Sequence, residues 1–254
     1  MPFKIHSFSR SNVSDSIIHT KISNLKGKEI LQVSRIGKML DFILDDGRHI
    51  LSHLGMTGAW VINKNKIIQK HTHLQFKGES DGKEYYLAYV DPRRFGHMYL
   101  YDEKQAQKKL AELGTDMKSP EFTFEYFKRA LQKYPERLLK VTLLDQKLFA
   151  GSGNYIANEI CARGGVLPNR QVKTLKVSEI KKLYNAVHLV LDDSIDSGGA
   201  TFQGGYQDAN GDKGEGVKGL VVFYQKTCQL CQKTPVIKIV LAQRGTYYCP
   251  KCQK

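Results

Sequence analysis

The residues from about 29 to 101 alternate between short apolar runs and turn residues, a pattern that predicts β-strands. Met39–Leu44 is mostly apolar, and the Asp46-Gly47 pair after it favours a two-residue hairpin turn. Asp81-Gly82 is a second such signal. The other predicted strands lie within His49–Leu54, Ala59–Ile62, Thr72–Phe76, Tyr85–Val90 and His97–Tyr101. Short strands at this spacing predict an antiparallel β-sandwich in the first half of the chain.

After residue 114 the apolar positions change to a helical period. Phe124, Phe127 and Leu131 lie three and four residues apart, on one helical face. Asn154 and Ser178 are residue types that favour helix N-caps, and a pair of glycines ends each of the two helices that follow. The pattern therefore predicts an α+β fold, with an N-terminal antiparallel β-sandwich and a C-terminal helical domain.

The last 27 residues hold four of the five cysteines, spaced CxxC-x17-CxxC. Two such pairs offer four thiolates to one tetrahedral ion, so one structural zinc ion in a terminal zinc-finger β-hairpin is predicted. Two disulfides in a secreted protein are the alternative, although CxxC pairs are unusual structural disulfides. The predicted metal ligands are Cys228, Cys231, Cys249 and Cys252.

Charge adds a class of partner. The chain carries a formal net charge of +14, which favours polyanion binding, although a surface that is basic only for solubility is the alternative. From residue 216 to 254 there are seven lysines or arginines and no acidic residue. Arg244 lies between the cysteine pairs, at the predicted hairpin tip. A rigid basic finger indicates contact with nucleic-acid phosphates.

The N-terminal residues are too polar for a signal peptide, and no apolar run is long enough to span a membrane. No membrane partner is therefore expected. Thiolate ligands require a reducing compartment. We expect a cytoplasmic, nucleoid-associated protein.

Two glycine-bordered segments carry side chains suited to insertion into DNA. His53–Gly58 contains Met56, and Asp91–Gly96 contains Arg93 and Phe95. A thioether, an aromatic ring and a guanidinium are groups that an enzyme can place in the gap left by an extruded base. The alternative is that Met56 and Phe95 belong to the core and that Arg93 pairs with the neighbouring aspartate.

A third segment, Leu143–Glu159, has glycines at 151 and 153 directly before Asn154. A helix that starts beside glycines presents free backbone amides, which favour phosphate binding. A tight turn between two packed helices would explain the same residues.

These motifs, in this order, resemble those of the formamidopyrimidine-DNA glycosylase and endonuclease VIII family, in its formamidopyrimidine branch. The resemblance runs from about residue 29 to the C-terminus and includes the segment Ser194–Gly199. It implies a helix–two-turns–helix element around Asn154. It also implies three domains: a β-sandwich over 1–113, a helical DNA-binding domain over 114–218 and a zinc finger over 219–254.

The resemblance implies base-excision repair. Such a protein is a DNA glycosylase and AP lyase that removes oxidised purines, especially 8-oxoguanine and formamidopyrimidines. Its partner is double-stranded DNA with an oxidised base or an abasic site, and we expect it to act as a monomer. In the family an N-terminal proline attacks the sugar, the base leaves, and eliminations from the resulting Schiff base cut the strand.

The resemblance also implies roles for single residues. Lys38 matches a lysine that contacts phosphate and assists elimination, and Arg244 matches the finger arginine that grips phosphate; with Pro2 they form the catalytic set. The loop over 203–218 is expected to cover the extruded base. The implied DNA-binding residues are Met56, His71, Arg93, Phe95, Lys140 and Asn154.

The N-terminus departs from the family. The family begins Met-Pro-Glu-x-Pro-Glu, with the first glutamate as general acid, whereas Phe3 and Lys4 follow Pro2 here. Lys38 also comes earlier by about the length of the family's first helix. Either the coding start lies upstream, or the lineage lost this helix and retained DNA binding. A non-catalytic zinc protein that binds damaged or abasic DNA is thus the alternative function, and a zinc-ribbon RNA-binding protein is a third.

Overall fold

A computed structural model of the protein describes residues 2–11, 14–202 and 208–254. The chain forms two compact units. The first comprises Met1–Ala111 with Gly198–Gly214, and the second comprises Glu112–Ser197 with Glu215–Lys254. The finger therefore shares one unit with the helices, while a separate finger domain over 219–254 stays a prediction.

The described part of the first unit contains eight strands in one antiparallel sheet, in the order β5-β7-β6-β1-β2-β3-β4-β8. The central strand β1 precedes the region in which the sequence pattern predicts strands, so that pattern missed it. The strands are β1 (Phe3–Arg10), β2 (Glu29–Ile36), β3 (Met39–Leu44), β4 (His49–His53), β5 (Ala59–Asn63), β6 (Thr72–Ser80), β7 (Lys83–Val90) and β8 (His97–Tyr101).

The sheet folds over itself, which confirms the predicted sandwich. Phe42 on β3 and Trp60 on the edge strand β5 are far apart in strand order, yet their ring centroids are 4.8 Å apart. The indole nitrogen of Trp60 also donates to Ser52 Oγ on β4 at 3.0 Å. The two halves of the sheet therefore bury their apolar faces against each other, which is the main source of stability for such a layer.

The two predicted hairpin turns have different outcomes. Asp81 and Gly82 both have positive φ between the paired residues Ser80 and Lys83, the two-residue turn that the sequence predicts. The turn at Asp46-Gly47 is longer, because the last paired residues are Ile43 and His49. That part of the prediction is wrong.

Helix α1 (Glu103–Leu110) completes the first unit and was not predicted. Asp102 caps it, since its carboxylate accepts from the amide of Gln105 at 2.8 Å. Buried His49 on β4 lies between two carboxylates, Asp41 at 2.9 Å and Glu103 of α1 at 2.7 Å. This group fastens the start of the helix to the sheet.

The second unit packs its helices around one apolar core. Phe127 and Leu131 are fully buried on α2, as the periodicity predicts. The predicted caps are each displaced: α4 is capped by Gly153 rather than Asn154, and α5 by Lys176 rather than Ser178. The helices are α2 (Phe124–Gln132), α3 (Leu139–Leu143), α4 (Asn154–Arg163) and α5 (Val177–Asp196), and the short strands β9 (Thr115–Asp116) and β10 (Phe149–Ala150) pair in parallel.

The unit ends in an antiparallel hairpin of β11 (Ile237–Leu241) and β12 (Arg244–Tyr248). Ala242 and Gln243 form its turn, both with positive φ. Among the described residues, no helix combines the length and apolar character needed to cross a membrane.

Candidate nucleic-acid interface and metal centre

The four predicted ligand cysteines come together in the second unit. Their sulfur atoms all lie within 4.8 Å of one another, with Cys228 to Cys252 at 4.0 Å and Cys231 to Cys249 at 3.9 Å. A tetrahedral ion with metal–sulfur bonds of about 2.3 Å places its sulfurs about 3.8 Å apart. The cysteines form no disulfide. The cluster therefore fits a metal ion, whereas the fifth cysteine, Cys161, is buried in the helical core.

Arg244 is exposed and is the first residue of β12, directly after the hairpin turn. Arg244 therefore lies one residue beyond the hairpin tip at which it was predicted. The pairing of Leu241 with Arg244 closes the turn. The paired strands orient the backbone on which the guanidinium is carried.

Lys140 and Asn154 hold the residues that follow Arg244. The ammonium of Lys140 is fully buried and donates to Gly245 O at 3.0 Å and to Thr246 Oγ1 at 2.7 Å. The amide of Asn154 donates to the same Gly245 carbonyl at 3.1 Å. Burial lowers the pKa of Lys140 to about 8, and nearby Arg244 acts in the same direction. Both side chains are predicted DNA contacts, and here both are partners of the finger.

Other residues of α4 attach the finger to the helical core. Asn158 Oδ1 accepts from the amide of Tyr247 at 2.7 Å. The buried carboxylate of Glu159 accepts from three successive backbone amides, at distances of 2.7 to 3.0 Å. Burial raises the pKa of Glu159, and these hydrogen bonds oppose the shift. The donors to Glu159 are Val221, Val222 and Phe223.

In the first unit, two loops carry the three predicted inserting side chains. We call them the insertion loops: residues 54–58, between β4 and β5, and residues 91–96, between β7 and β8. Met56 is 63% exposed and Phe95 is 48% exposed. Arg93 places its guanidinium carbon 4.6 Å from the centroid of the Phe95 ring. The alternative of core packing for Met56 and Phe95 is therefore wrong.

Asp91 begins the second loop and is fully buried. Its carboxylate accepts from the backbone amide of Arg93 at 3.3 Å. The contact between the two residues is therefore made by the Arg93 backbone and not, as in the alternative, by its guanidinium. The carboxylate also accepts from Thr57 Oγ1 at 2.7 Å. Sequence reasoning missed this role, although an aspartate directly after an apolar strand was its visible signal.

Lys38 is exposed in the Gly37-Lys38 turn between β2 and β3, where Gly37 has positive φ. Burial, and then the positive charge of Lys38, lowers the pKa of His53. The Gly55 amide donates to His53 Nδ1 at 3.1 Å. Neutral His53 thus carries its proton on Nε2. His53 begins the segment that contains Met56, and the sequence pattern predicts no role for it.

Two further predicted positions lie in the first unit. His71 is exposed with positive φ, and its carbonyl accepts from the Asp91 amide at 3.1 Å. Pro2 is exposed and directly precedes β1, while Phe3 is buried in the sheet core. Of the loop predicted to cover the lesion, residues 203–207 lie outside the described residues.

The chain matches two family models. Residues 4–98 match the formamidopyrimidine-DNA glycosylase N-terminal domain, and residues 113–204 match the formamidopyrimidine-DNA glycosylase H2TH domain. The first range lies within the sheet unit, and the second covers the helices α2 to α5.

Curated relatives cover most of the chain. The formamidopyrimidine-DNA glycosylase of Desulfitobacterium hafniense is 37% identical over 235 residues, which cover 90% of this chain and 83% of that protein. The protein of the same name from Listeria innocua is 37% identical over 247 residues, covering 94% and 86%.

Solved structures agree with this. The MutM (Fpg) protein of Thermus thermophilus aligns with a TM-score of 0.84 at 31% identity, over 100% of this chain and 92% of that one. Lactococcus lactis Fpg in complex with DNA containing an abasic site aligns with a TM-score of 0.86 at 28% identity, over 99% and 92%. The chain therefore belongs to the formamidopyrimidine-DNA glycosylase family.

Proposed function

We propose that the protein is a base-excision repair DNA glycosylase and AP lyase that removes oxidised purines from duplex DNA. The observation that carries the proposal is the pair of insertion loops. Met56 and Phe95 are large apolar side chains that stay exposed on the insertion loops, and the guanidinium of Arg93 lies over the Phe95 ring. An exposed wedge of this kind can occupy the space of a base that has left the stack.

Cationic groups supply the remaining contacts. We assign Arg244 and Lys38 to phosphates of the damaged strand, because both are exposed, Lys38 on a two-residue turn of paired strands and Arg244 directly after one. His71 contributes a further contact. We assign zinc to the cluster of four cysteines, where it stiffens the hairpin that bears Arg244. A monomer in the cytoplasm, near the nucleoid, completes the proposal.

In this scheme Met1 is removed, the free amine of Pro2 attacks C1′ of the damaged nucleotide, and the base leaves with the bonding electrons and takes up a proton. The attached nitrogen then loses its proton, the C1′–O4′ bond breaks and O4′ is protonated. The resulting iminium ion permits elimination of the phosphates. The reaction needs a proton donor near the amine. The first acidic residue of this sequence is Asp15, so no carboxyl group directly follows Pro2 in this sequence.

That departure supports a second candidate: a non-catalytic protein that binds damaged or abasic duplex DNA. It uses the same wedge and the same phosphate contacts, without chemistry at Pro2. The two candidates differ in whether a covalent intermediate forms.

An 8-oxoguanine duplex with one labelled strand distinguishes them. The zinc-loaded protein is incubated with it in the presence of borohydride, with Pro2→Ala as the matched variant. Strand cleavage and a trapped adduct that Pro2→Ala lacks support the enzyme. Neither cleavage nor adduct, together with at least about ten-fold tighter binding to a tetrahydrofuran-containing duplex than to undamaged DNA, supports the binding protein. Equal affinity for both duplexes contradicts both candidates, and tighter binding to structured RNA supports the zinc-ribbon alternative.

A further inference from the structure

We propose that the buried carboxylate of Asp91, together with Thr57, is a positioning group that joins the two insertion loops into one preorganised wedge, and that this coupling determines selectivity for lesion-containing DNA. The inference rests on the proposed function, since its main readout is the preference for damaged over undamaged duplex.

The carboxylate lies between the two loops and binds both. Asp91 Oδ1 accepts from the hydroxyl of Thr57 at 2.7 Å, and Oδ2 accepts from the amide of Gly96 at 2.8 Å. The amide of Arg93 lies 3.3 Å from both Oδ1 and Thr57 Oγ1. Thr57 follows Met56, and Gly96 follows Phe95. One carboxylate thus orients the residues next to both apolar wedge side chains.

The loop backbones are also in direct contact. Gly55 has a φ of +67°, and a Cβ there would lie 2.5 Å from the carbonyl carbon of Phe95. Only glycine fits this approach. The hydroxyl of Tyr89 lies 3.4 Å from both the Leu54 carbonyl and Asp91 Oδ2. Burial, and then the charge of Asp91, raises the pKa of Tyr89, so this hydroxyl stays protonated and can donate.

The position of Asp91 itself is determined by its main chain. Its amide donates to the carbonyl of His71 at 3.1 Å, and its carbonyl accepts from His73 Nε2 at 2.9 Å. The Nδ1 atom of His73 therefore lacks a proton if the ring is neutral, and it accepts from Ser11 Oγ at 3.1 Å. The anchor is thereby tied to the strands behind the loops.

The carboxylate is stabilised by hydrogen bonds from neutral groups rather than by a cation. In the described part of the chain, Asp91 has no ion pair with a lysine or an arginine, and it is 0% exposed. A buried charge is tolerated only where its hydrogen bonds are made. Movement of either loop would break some of these bonds, so the two loops keep one joint arrangement. A wedge held this way loses little conformational entropy on entering DNA.

The test compares variants at Thr57, because Asp91→Asn can disturb folding. Thr57→Val removes the hydroxyl at similar volume, and Thr57→Ser retains it. Thr174→Val is the matched control, since the Thr174 hydroxyl donates to Gln171 O at 2.7 Å in the second unit, which does not contain the insertion loops. Dissociation constants are measured for a tetrahydrofuran duplex and for the same duplex undamaged, at one salt concentration.

The preference for damaged DNA is the Kd for the undamaged duplex divided by the Kd for the tetrahydrofuran duplex. We expect Thr57→Val to reduce this ratio about ten-fold while leaving the affinity for undamaged DNA unchanged. Thr57→Ser and Thr174→Val should keep the wild-type preference. In the double variant with Phe95→Ala, the binding free energy that favours the tetrahydrofuran duplex should fall by less than the sum of the two single losses. Both changes disable the same wedge. A purely structural effect would instead be additive.

Amide hydrogen exchange gives a readout that does not depend on DNA. Thr57→Val should speed exchange at Gly96 and Arg93, and Thr174→Val should not. Wild-type selectivity with an unchanged ratio in Thr57→Val overturns this inference alone. Unchanged exchange at Gly96 overturns the coupling whatever the DNA result. A wild-type protein without selectivity, but with faster exchange in Thr57→Val, overturns the proposed function and the role of the coupling in selectivity.

Discussion

Each compact unit has one buried charged side chain that binds groups next to candidate DNA-contacting residues. The two charges have opposite signs. In the sheet unit, the Asp91 carboxylate accepts hydrogen bonds from Thr57 and Gly96 of the insertion loops. In the helical unit, the Lys140 ammonium donates to two oxygens of the residues just after Arg244. Both charged side chains are fully buried.

The sign of each charge follows from the groups that its segment leaves unpaired. The insertion loops turn backbone amides and a hydroxyl inward, which an anion can collect. The start of β12 presents a carbonyl and a hydroxyl oxygen, which a cation can satisfy. Buried polar groups need such partners, and a single ionised group can serve several of them at once. The sign of each buried charge is thus matched to the loop or hairpin groups that it binds, rather than to the charge of a ligand.

The two regions also differ in what supplements the anchor. The insertion loops rely on hydrogen bonds and on the close approach at Gly55. The hairpin has the cluster of four cysteines at its base as well. We therefore expect the hairpin to depend on metal and the insertion loops to be insensitive to it.

Metal removal should give the largest effect. Because the binding free energy of a structural zinc ion is folding free energy, Cys249→Ser should unfold the hairpin and weaken binding to every duplex by about 100-fold. Fluorescence of Trp60, the single tryptophan, should stay native because it lies in the sheet unit. The control is Cys161→Ala, which should retain one zinc ion by atomic absorption. Full DNA affinity in zinc-free Cys249→Ser would contradict the prediction.

Arg244→Ala and Phe95→Ala should separate phosphate contact from insertion. We expect Arg244→Ala to weaken binding to damaged and undamaged duplexes alike, about ten-fold, and to lower the salt slope by about one. Phe95→Ala should lower only the preference for the tetrahydrofuran duplex, again about ten-fold. Fluorescence anisotropy over a range of salt concentrations measures both.

Thermal denaturation is the control for this pair. Phe95 is half exposed, so its replacement should leave the melting temperature near that of the wild type. Unfolding of Phe95→Ala would show that the side chain is part of the core. Equal loss of affinity for both duplexes would remove the distinction between the two regions.

Stability at alkaline pH should report the cationic anchor. The folded pKa of Lys140 is about 8, below the ordinary 10.5, so the folded state releases its proton first as the pH rises. The cost of the buried ammonium is therefore present below pH 8 and is relieved between about 8 and 10.5. The unfolding free energy should rise by about 1 kcal/mol from pH 8.5 to 9.5 relative to Lys140→Met. Urea titrations of both proteins measure this difference, and parallel pH profiles would contradict it.

The sheet unit should show a smaller dependence of the opposite sign. Burial alone would lower the pKa of His49, but its bonds to Glu103 and Asp41 outweigh this, and the pKa is raised from 6.5. The stabilisation is therefore complete below pH 6.5 and is lost as the pH rises through the folded pKa. Wild type should exceed His49→Gln in unfolding free energy by more at pH 5.5 than at pH 8, by at most about 1 kcal/mol. Trp60 fluorescence during urea unfolding follows this unit, and a larger difference at pH 8 would contradict the assignment.

Much of the fold follows from local signals. The Asp81-Gly82 turn, the strands from residue 39 onward and the apolar face of α2 agree with their patterns, because each depends on neighbours in sequence. Asp46-Gly47 carried the same turn signal as Asp81-Gly82, yet its loop is longer. There the pairing of β3 with β4 outweighs the local preference of the dipeptide.

The candidate site divides in the same way. By itself, the sequence determined the cluster of four cysteines, the basic finger and the choice of Met56, Arg93 and Phe95 as candidates for insertion, since spacing and side-chain chemistry are local properties. Only the tertiary structure decided that Lys140 and Asn154 bind the finger backbone and that Asp91 joins the two insertion loops. Their partners are up to 106 residues away in the chain. A hydrogen bond across such a separation depends on how strands and helices pack, which no local pattern contains.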